Sequence, residues 1–521
     1  MKFLKKYKTA FVLFLLILLG NNSSLQAQVQ VEQAKQFPVR GFHIDLRVQV
    51  MTMDALKSFA KELADFGINT LVMEYEATFP YLQHATISNK YAYSREEIRE
   101  FVDYCNNLGI DVISLQQCFG HVEYILRHGR YTKLAETRQD ISQVCPSKTE
   151  ECRQLFTDLF SDMASLHTSK YIHVGGDETR LLGRCAECSK KAGEEGTSKL
   201  FADYLKMICE TITEMGKIPV MWADIILKYP DAVDLLPKET VFVDWNYGWD
   251  INYFGNISEL QKKGVTLWGA PAIRSHPDNW YTTDWQKHFN NQRDFIPYAR
   301  NANYQGMVMT SWSTSGLYGF NWDINWEVVD MFAIRNVYPL SGFRILIASY
   351  ANALNQSEPV DPFAFITKYA QERFGLNKDE SEKFRTALFA SPEIIRPENI
   401  SDLNKIATIK TAVDEACKTM TSLKPRNNQK EFEHLRLMLD LRQFYLDSKI
   451  VEATYESDEY SKGKEPELLS AITELLKKSV KLDQRFSSLN KGFLYPSEIT
   501  EQNRIRSQKV RNIYSALKGD R

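Results

Sequence analysis

Eight short apolar runs between residues 39 and 345, each parted from the next by a helical or loop segment, predict a (β/α)8 TIM barrel of the α/β class. After residue 345 the strand-like runs give way to long helical patterns, which predicts an all-helical C-terminal module over 346–521. Alternating strands and helices imply parallel strands joined by crossovers. A doubly wound open sheet has the same local rhythm, and the count of runs by itself does not separate the two. No glycine-rich dinucleotide fingerprint follows the first run, and no phosphate-binding P-loop is present.

The run over 39–46 reads as the first strand, and Leu56, Phe59, Ala60, Leu63 and Phe66 behind it share one helical face. Residues 69–75 are a second strand, rich in β-formers. Ser94-Arg-Glu-Glu97 is a capping box, opening a helix with Ile98, Phe101, Val102 and Cys105 turned inward. Gly109 ends that helix, and 110–115 is the third strand. Ser147 with Glu150 reads as another N-cap, ahead of Leu155, Phe156, Leu159, Phe160 and Met163. The fourth strand spans 171–176, and four more fall at 218–222, 241–245, 265–268 and 306–312. In the C-terminal part, 431–452 is one long helix, and its many Lys and Glu residues read as solvated faces.

A length of 521 residues suits a barrel plus one further module. The 64 Lys+Arg almost balance the 66 Asp+Glu, so nothing electrostatic points to nucleic acid or an anionic membrane as partner. At the N-terminus, Lys2, Lys5, Lys6 and Lys8 precede an apolar stretch over 10–19, a polar stretch over 20–24 and the small residue Ala27. That order predicts a cleaved signal peptide over 1–27 and a secreted or periplasmic protein exported in the bacterial manner. The alternative is an uncleaved anchor, but the apolar stretch falls short of the roughly 20 residues a membrane span needs. No later segment is apolar enough to span. Eight cysteines in an exported chain are compatible with disulfides. Cys185-Ala-Glu-Cys188 has the spacing of half a zinc site, but no second such pair follows, so it reads as a local disulfide or two free thiols, with a structural metal as the alternative.

Working groups of a barrel enzyme sit at the C-terminal ends of the strands. The fourth strand ends in His173-Val-Gly-Gly-Asp177-Glu178, two adjacent carboxylates after two glycines that let the chain turn. Like charges held close push one pKa up, so one carboxyl stays neutral while the other ionises. Cleavage of a glycosidic bond uses that combination, as proton donor and as stabilising anion. All nine tryptophans lie between Trp222 and Trp326, and Trp222, Trp245, Trp268 and Trp312 close four successive strands. Such a set reads as an aromatic wall on which apolar sugar faces stack. His121, after the third strand, is placed to orient a neighbouring carboxylate, with Glu74 and Glu76 at the end of the second strand as candidate partners.

These residues resemble glycoside hydrolase family 20, the β-N-acetylhexosaminidases. His-Val-Gly-Gly-Asp-Glu at 173–178 matches the family signature on its fourth strand. Gly120-His121 is similar to a Pro-Gly-His element, with Phe119 in place of the proline, and Arg40-Gly41-Phe-His43-Ile-Asp45 looks like the first strand. Glu74-Tyr-Glu76, Phe79-Pro80-Tyr81 and Cys145-Pro146-Ser147 are closer to the hexosaminidase D-like branch than to the large lysosomal enzymes.

The resemblance implies an exo-acting retaining hydrolase of terminal β-linked N-acetylhexosamine, GlcNAc or GalNAc. It implies substrate-assisted catalysis, in which the 2-acetamido oxygen attacks the anomeric carbon and forms an oxazolinium intermediate. Glu178 is then the general acid and Asp177 the partner of the acetamido N–H. Trp222, Trp245 and Trp312 form the sugar pocket, Tyr247 donates to the acetamido oxygen and Asp224 binds hydroxyls. His121, His173, Trp268, Glu76 and Arg47 complete the candidate substrate-binding set. Neither a metal nor an organic cofactor is implied, and the partner is a glycan or glycoconjugate. In the family the first-strand arginine follows its aspartate by three residues. Arg47 follows Asp45 by two, an offset that alternation along a strand turns away from the site. Two other readings of the residues are a catalytically silent glycan-binding barrel and a conventional two-carboxylate retaining glycosidase, for example with Glu178 and Asp244.

Overall fold

The computed structural model describes residues 37–275, 281–313, 318–322, 329–333, 337–390, 395, 402–457 and 460–519. The signal peptide expected over 1–27, together with Trp280 and Trp326, lies outside the described residues.

Eight parallel strands close into a barrel with helices around it. In chain order they are β1 Val39–Asp45, β2 Thr70–Glu74, β3 Asp111–Leu115, β4 Tyr171–His173, β5 Ile218–Trp222, β6 Val241–Trp245, β7 Thr266–Ala270 and, after the short β8 Ala272–Arg274, β9 Gly306–Ser311. Closure comes from β1 pairing in parallel with β9, Val39 opposite Gly306 and Phe42 opposite Met309. The open sheet is thereby excluded. A two-stranded antiparallel sheet, Tyr318–Trp322 with Val329–Ala333, follows β9.

Alternation along the strands turns one set of side chains to the barrel axis and the other to the helices. The axial set includes Val72, Ile113, Leu115, Val220, Trp222, Val243, Trp268 and Val308. The outer set packs on helices such as Met53–Asp65, which buries Ala55, Leu56, Phe59, Ala60 and Leu63. Each large apolar side chain removed from water in this way contributes about 1.5–3 kcal/mol. The Ser94–Glu97 capping box forms as expected, at the start of the helix Arg95–Asn107.

Three local expectations differ from the structure. β4 stops at His173, because Gly175 and Gly176 take φ of +70° and +89° and leave the ladder. β7 runs on to Ala270, so Trp268 lies in mid-strand beside Gly306 and Val243 rather than at a strand end. Ser147 does not cap the following helix, Thr149–Ala164; its N-cap is Lys148, and the Ser147 hydroxyl lies 3.1 Å from Cys188 Sγ.

Helices fill the C-terminal part from Arg344–Asn355 to Gln508–Lys518. They dock directly on the barrel. Tyr350 Oη lies 3.0 Å from the Gly41 carbonyl and 2.8 Å from that of Met307, and Thr52 donates its hydroxyl proton to the Gly492 carbonyl at 2.7 Å. Just ahead of these helices, buried Arg274 holds the approach segment to the barrel, donating to Gln49 and to the Tyr338 carbonyl, both at 2.7 Å. Among the described residues, no helix is long and apolar enough to cross a membrane.

Candidate active site

A cavity of about 340 Å³ opens at the C-terminal ends of the barrel strands. Its lining combines Arg47, His121, Asp177 and Glu178 on the polar side with an aromatic wall that includes Trp222, Trp245 and Trp312.

The turn after β4 presents the two carboxylates. A side chain at Gly175 would collide with Gln117, its Cβ falling 1.9 Å from Oε1, and both glycines need the left-handed backbone. Glu178 itself holds φ +48°, a conformation that costs a residue with a Cβ and is kept by its surroundings. Its N–H donates to Asp224 Oδ2 at 3.0 Å, and Trp245 Nε1–H donates to the other Asp224 oxygen at 3.3 Å. From β3, Gly120 brings the next loop against this turn; a Cβ there would lie 2.5 Å from the Asp177 carbonyl oxygen. His121, at φ +55°, then reaches Asp177 Oδ2 at 3.4 Å and Glu178 Oε2 at 3.3 Å. Phe119, which stands where the resemblance has proline, anchors the loop against Tyr204, with ring centres 4.3 Å apart.

The charges follow from these contacts. Burial opposes a charged His121, but the Asp177 and Glu178 carboxylates outweigh it and hold its pKa well above the ordinary value. Burial also raises Glu178, yet His121 and then Arg180 dominate, and the carboxyl is brought down to about 2. Arg180 is 2.5 Å from Glu178 and 76% exposed, so its share of that shift is screened by solvent and easily displaced. Asp224 goes the other way, to about 7, raised by burial and next by Asp177. Asp177 Oδ1 is buried and has no hydrogen-bond partner among the described residues.

On the β1 side, Arg47 lines the cavity despite its offset in sequence. β1 ends at Asp45, so the two-residue alternation no longer applies at position 47. The chain turns there, and Asp45 takes Arg47 Nε and Nη2 in a fork at 3.0 and 2.9 Å. The guanidinium lies 5.2 Å over the Trp312 ring and 3.9 Å from Glu76 Oε1. Glu74, considered above as a partner for His121, is engaged instead by His43 at 2.8 Å and by Gln117 Nε2 at 3.1 Å.

The aromatic wall comes from β5, β6 and β9. Trp222 and Trp312 stand 5.8 Å apart, and Trp312 Nε1–H donates to the Tyr247 hydroxyl at 2.8 Å. The sequence reading missed Trp249, Tyr253, Phe254 and Ser275, which also line the cavity. The crowding of aromatics over 245–254 was the signal available for the first three.

Several expected residues do not reach the cavity. His173 is buried under Trp222, ring centres 4.4 Å apart, and its Nδ1 accepts the Gly175 N–H at 3.1 Å. It holds the glycine turn from behind and, with its pKa pushed well down by burial, is neutral. Trp268 packs in the barrel interior against Tyr171, and Glu76 and Asp224 stand behind the lining residues. Asp244, the alternative second carboxylate, faces Tyr304, whose hydroxyl donates to it at 2.8 Å, and is absent from the lining. All eight cysteines are free in the structure, none of them joined in a disulfide. Cys185 and Cys188 meet Cys145 and Glu136 instead.

Residues 37–322 match the family described as glycosyl hydrolase family 20, catalytic domain. The chain is 27% identical over 291 residues to hexosaminidase D of Bos taurus, covering 53% of this chain and 84% of that protein. To hexosaminidase D of Homo sapiens it is 26% identical over 294 residues, 53% of this chain but 60% of the relative. In fold it is similar to the chitobiase of Flavobacterium johnsoniae, at a TM-score of 0.50 and 15% identity over 93% of this chain and 73% of that one. With the carboxylate turn and most of the aromatic wall inside a match that spans more than half of its length, the chain belongs to glycosyl hydrolase family 20.

Proposed function

We propose that this protein is an exo-acting, retaining β-N-acetylhexosaminidase that removes terminal N-acetylhexosamine from glycans by substrate-assisted catalysis. The observation that carries the reading is Asp177 Oδ1, a buried acceptor without a partner on a residue that lines the cavity. A buried unpaired acceptor is costly, and a substrate amide N–H is the donor that satisfies it. Held there, the acetamido group presents its carbonyl oxygen to the anomeric carbon, and the attack is intramolecular. Tyr247, its hydroxyl already taking the Trp312 proton, is oriented to donate to that oxygen. Asp177 and the resulting oxazolinium cation then attract each other across a site walled by aromatic rings.

Glu178 delivers the proton to the leaving oxygen and withdraws one from water in the second step. In the free enzyme it is an anion paired to Arg180 and His121. A bound glycan that displaces the exposed Arg180 and covers the mouth removes one stabilising charge and deepens the burial, and both raise the Glu178 pKa. Arg47, fixed by Asp45, grips hydroxyls of the terminal sugar. Hexosaminidases D of Bos taurus and Homo sapiens support the activity by name. Export through residues 1–27 belongs to the same proposal.

The test is release of aryl leaving groups from β-GlcNAc, β-GalNAc and β-glucose by the chain lacking 1–27, beside Glu178→Gln. Turnover of an N-acetylhexosaminide but not the glucoside, lost in the variant, is expected, with strong inhibition by a thiazoline analogue of the cyclised intermediate. Equal turnover of the glucoside would overturn the acetamido mechanism.

A further inference from the structure

Behind the catalytic turn, Glu136, Cys145, Cys185 and Cys188 bring one carboxylate oxygen and three sulfurs within 4.8 Å of one another. We propose that these four side chains bind a structural zinc ion, which locks the loop after β3 to the segment after β4. Cys145 Sγ lies 3.4 Å from Cys188 Sγ and 3.6 Å from Cys185 Sγ, and Cys188 Sγ lies 3.3 Å from Glu136 Oε2. Tetrahedral zinc, with bonds of about 2.3 Å to sulfur and about 2.1 Å to oxygen, separates its ligands by about 3.8 Å (S···S) and about 3.6 Å (S···O). The side chains therefore need to move only a few tenths of an ångström at these three pairs.

A disulfide explains the cluster less well. It joins two sulfurs at about 2.05 Å and leaves the third thiol and a buried carboxylate beside it. Zinc engages all four groups and, in binding, displaces a proton from each thiol. The surroundings suit that charge. Cys188 N–H donates to Cys185 Sγ at 3.3 Å, and the Ser147 hydroxyl is in reach of Cys188 Sγ at 3.1 Å. Cys185 N–H donates to Glu136 Oε1 at 2.8 Å, which leaves Oε2 turned toward the sulfurs. Cys185 is also the N-cap of the helix Ala186–Glu195, so the positive end of the helix dipole faces the sulfurs. Three thiolates select a soft or borderline cation over magnesium, calcium or manganese. Four protein ligands leave no open position for substrate, so the ion is structural. Cys185 is partly exposed, which gives the metal a way in.

What the zinc holds together is the catalytic pair of loops. The β3 loop carries His121 and is bridged to itself at Gly120 and Gln143; the β4 segment carries Asp177 and Glu178 and donates Leu181 N–H to Gln143 Oε1 at 2.9 Å. Zinc ligands from both segments set the distance between His121 and the two carboxylates.

The test is zinc content of the full chain, purified in reducing buffer without chelator, with cobalt substitution alongside. About one zinc per chain is expected in the wild type, lost in Cys145→Ser and Cys188→Ser and weakened in Glu136→Gln. Because a cysteine variant that misfolds also loses metal, cobalt loading of the wild type gives the second reading: a tetrahedral thiolate site shows intense sulfur-to-cobalt charge transfer. A wild type that carries no zinc and takes up neither metal overturns the proposal. So does a disulfide between any two of the three cysteines in a second preparation isolated without reductant, or full zinc retention in both serine variants. None of these readings depends on glycosidase activity.

Discussion

Two groups of buried carboxylates stand at the same end of the barrel and are held in opposite ways. At the ends of β1 and β2, Asp45 and Glu74 lie around Arg47. Burial raises both carboxyls, but the guanidinium, with help from His43, holds both below the ordinary value. Arginine does not give up its proton in a protein, so these groups are permanent charges. Beyond β4 and β5, Asp177 and Glu178 meet His121, which does titrate, and Asp224 stands behind them, accepting the Glu178 N–H. There one carboxyl is brought down to about 2 and its neighbour up to about 7. On the proposed function the first group would grip and the second would exchange protons, a difference that lies in the cation each surrounds.

Breaking the second group should cost most. Glu178→Gln is expected to lower kcat about 10²–10⁴-fold on substrates with poor leaving groups, and less where the leaving group needs no proton. Asp177→Asn should follow at about 10²–10³-fold in kcat, read on an aryl N-acetylhexosaminide.

Breaking the first group should appear as instability. Arg47→Ala removes the arginine cation from buried Asp45 and Glu74, at about 3–5 kcal/mol in denaturant unfolding. Because Asp45 is depressed in the fold, its stabilisation is present above an unfolded pKa of about 3.9 and is lost as pH falls through its lower folded value. Without Arg47 the folded pKa rises, and acid unfolding should begin at higher pH. Asp224 has the reverse sign. Raised to about 7, it keeps its proton in the fold while the unfolded chain ionises from about pH 4, so its contribution is full below pH 4 and is lost as pH rises through about 7. Asp224→Asn should flatten that slope and remove a limb near pH 7 from kcat/KM. Smallest, Trp268→Phe should cost about 1–3 kcal/mol with KM unchanged, whereas Trp245→Phe should raise KM.

Much of this was legible in the sequence. Strand order, the capping box and the glycine-led carboxylate turn are local patterns, and local patterns are what a single chain displays. Two kinds of feature were not. One depends on where an element stops. Arg47 seemed to point away because strand alternation was carried past Asp45, where β1 ends, and Trp268 seemed to close a strand that continues to Ala270. A slip of one residue reverses a side chain's face. The other depends on meetings between distant segments. Cys185 and Cys188 looked like half a site because their partner sulfur lies 40 residues upstream on another loop. Spacing within one segment cannot show a set assembled from two.

Tyr350 reaches the carbonyls of Gly41 and Met307, which belong to the two strands whose pairing closes the barrel. Consider this during synthesis. The first strand leaves the ribosome long before its partner, and the residue that bonds across both is made later still. Until β9 is made the edges of β1 and β7 stay unpaired, and open edges are where chains aggregate; the Tyr350 bonds that tie both closing strands to the C-terminal helices form only after that. A gene cut after residue 322 would therefore keep the chemistry on paper and lose the clasp that shuts the container.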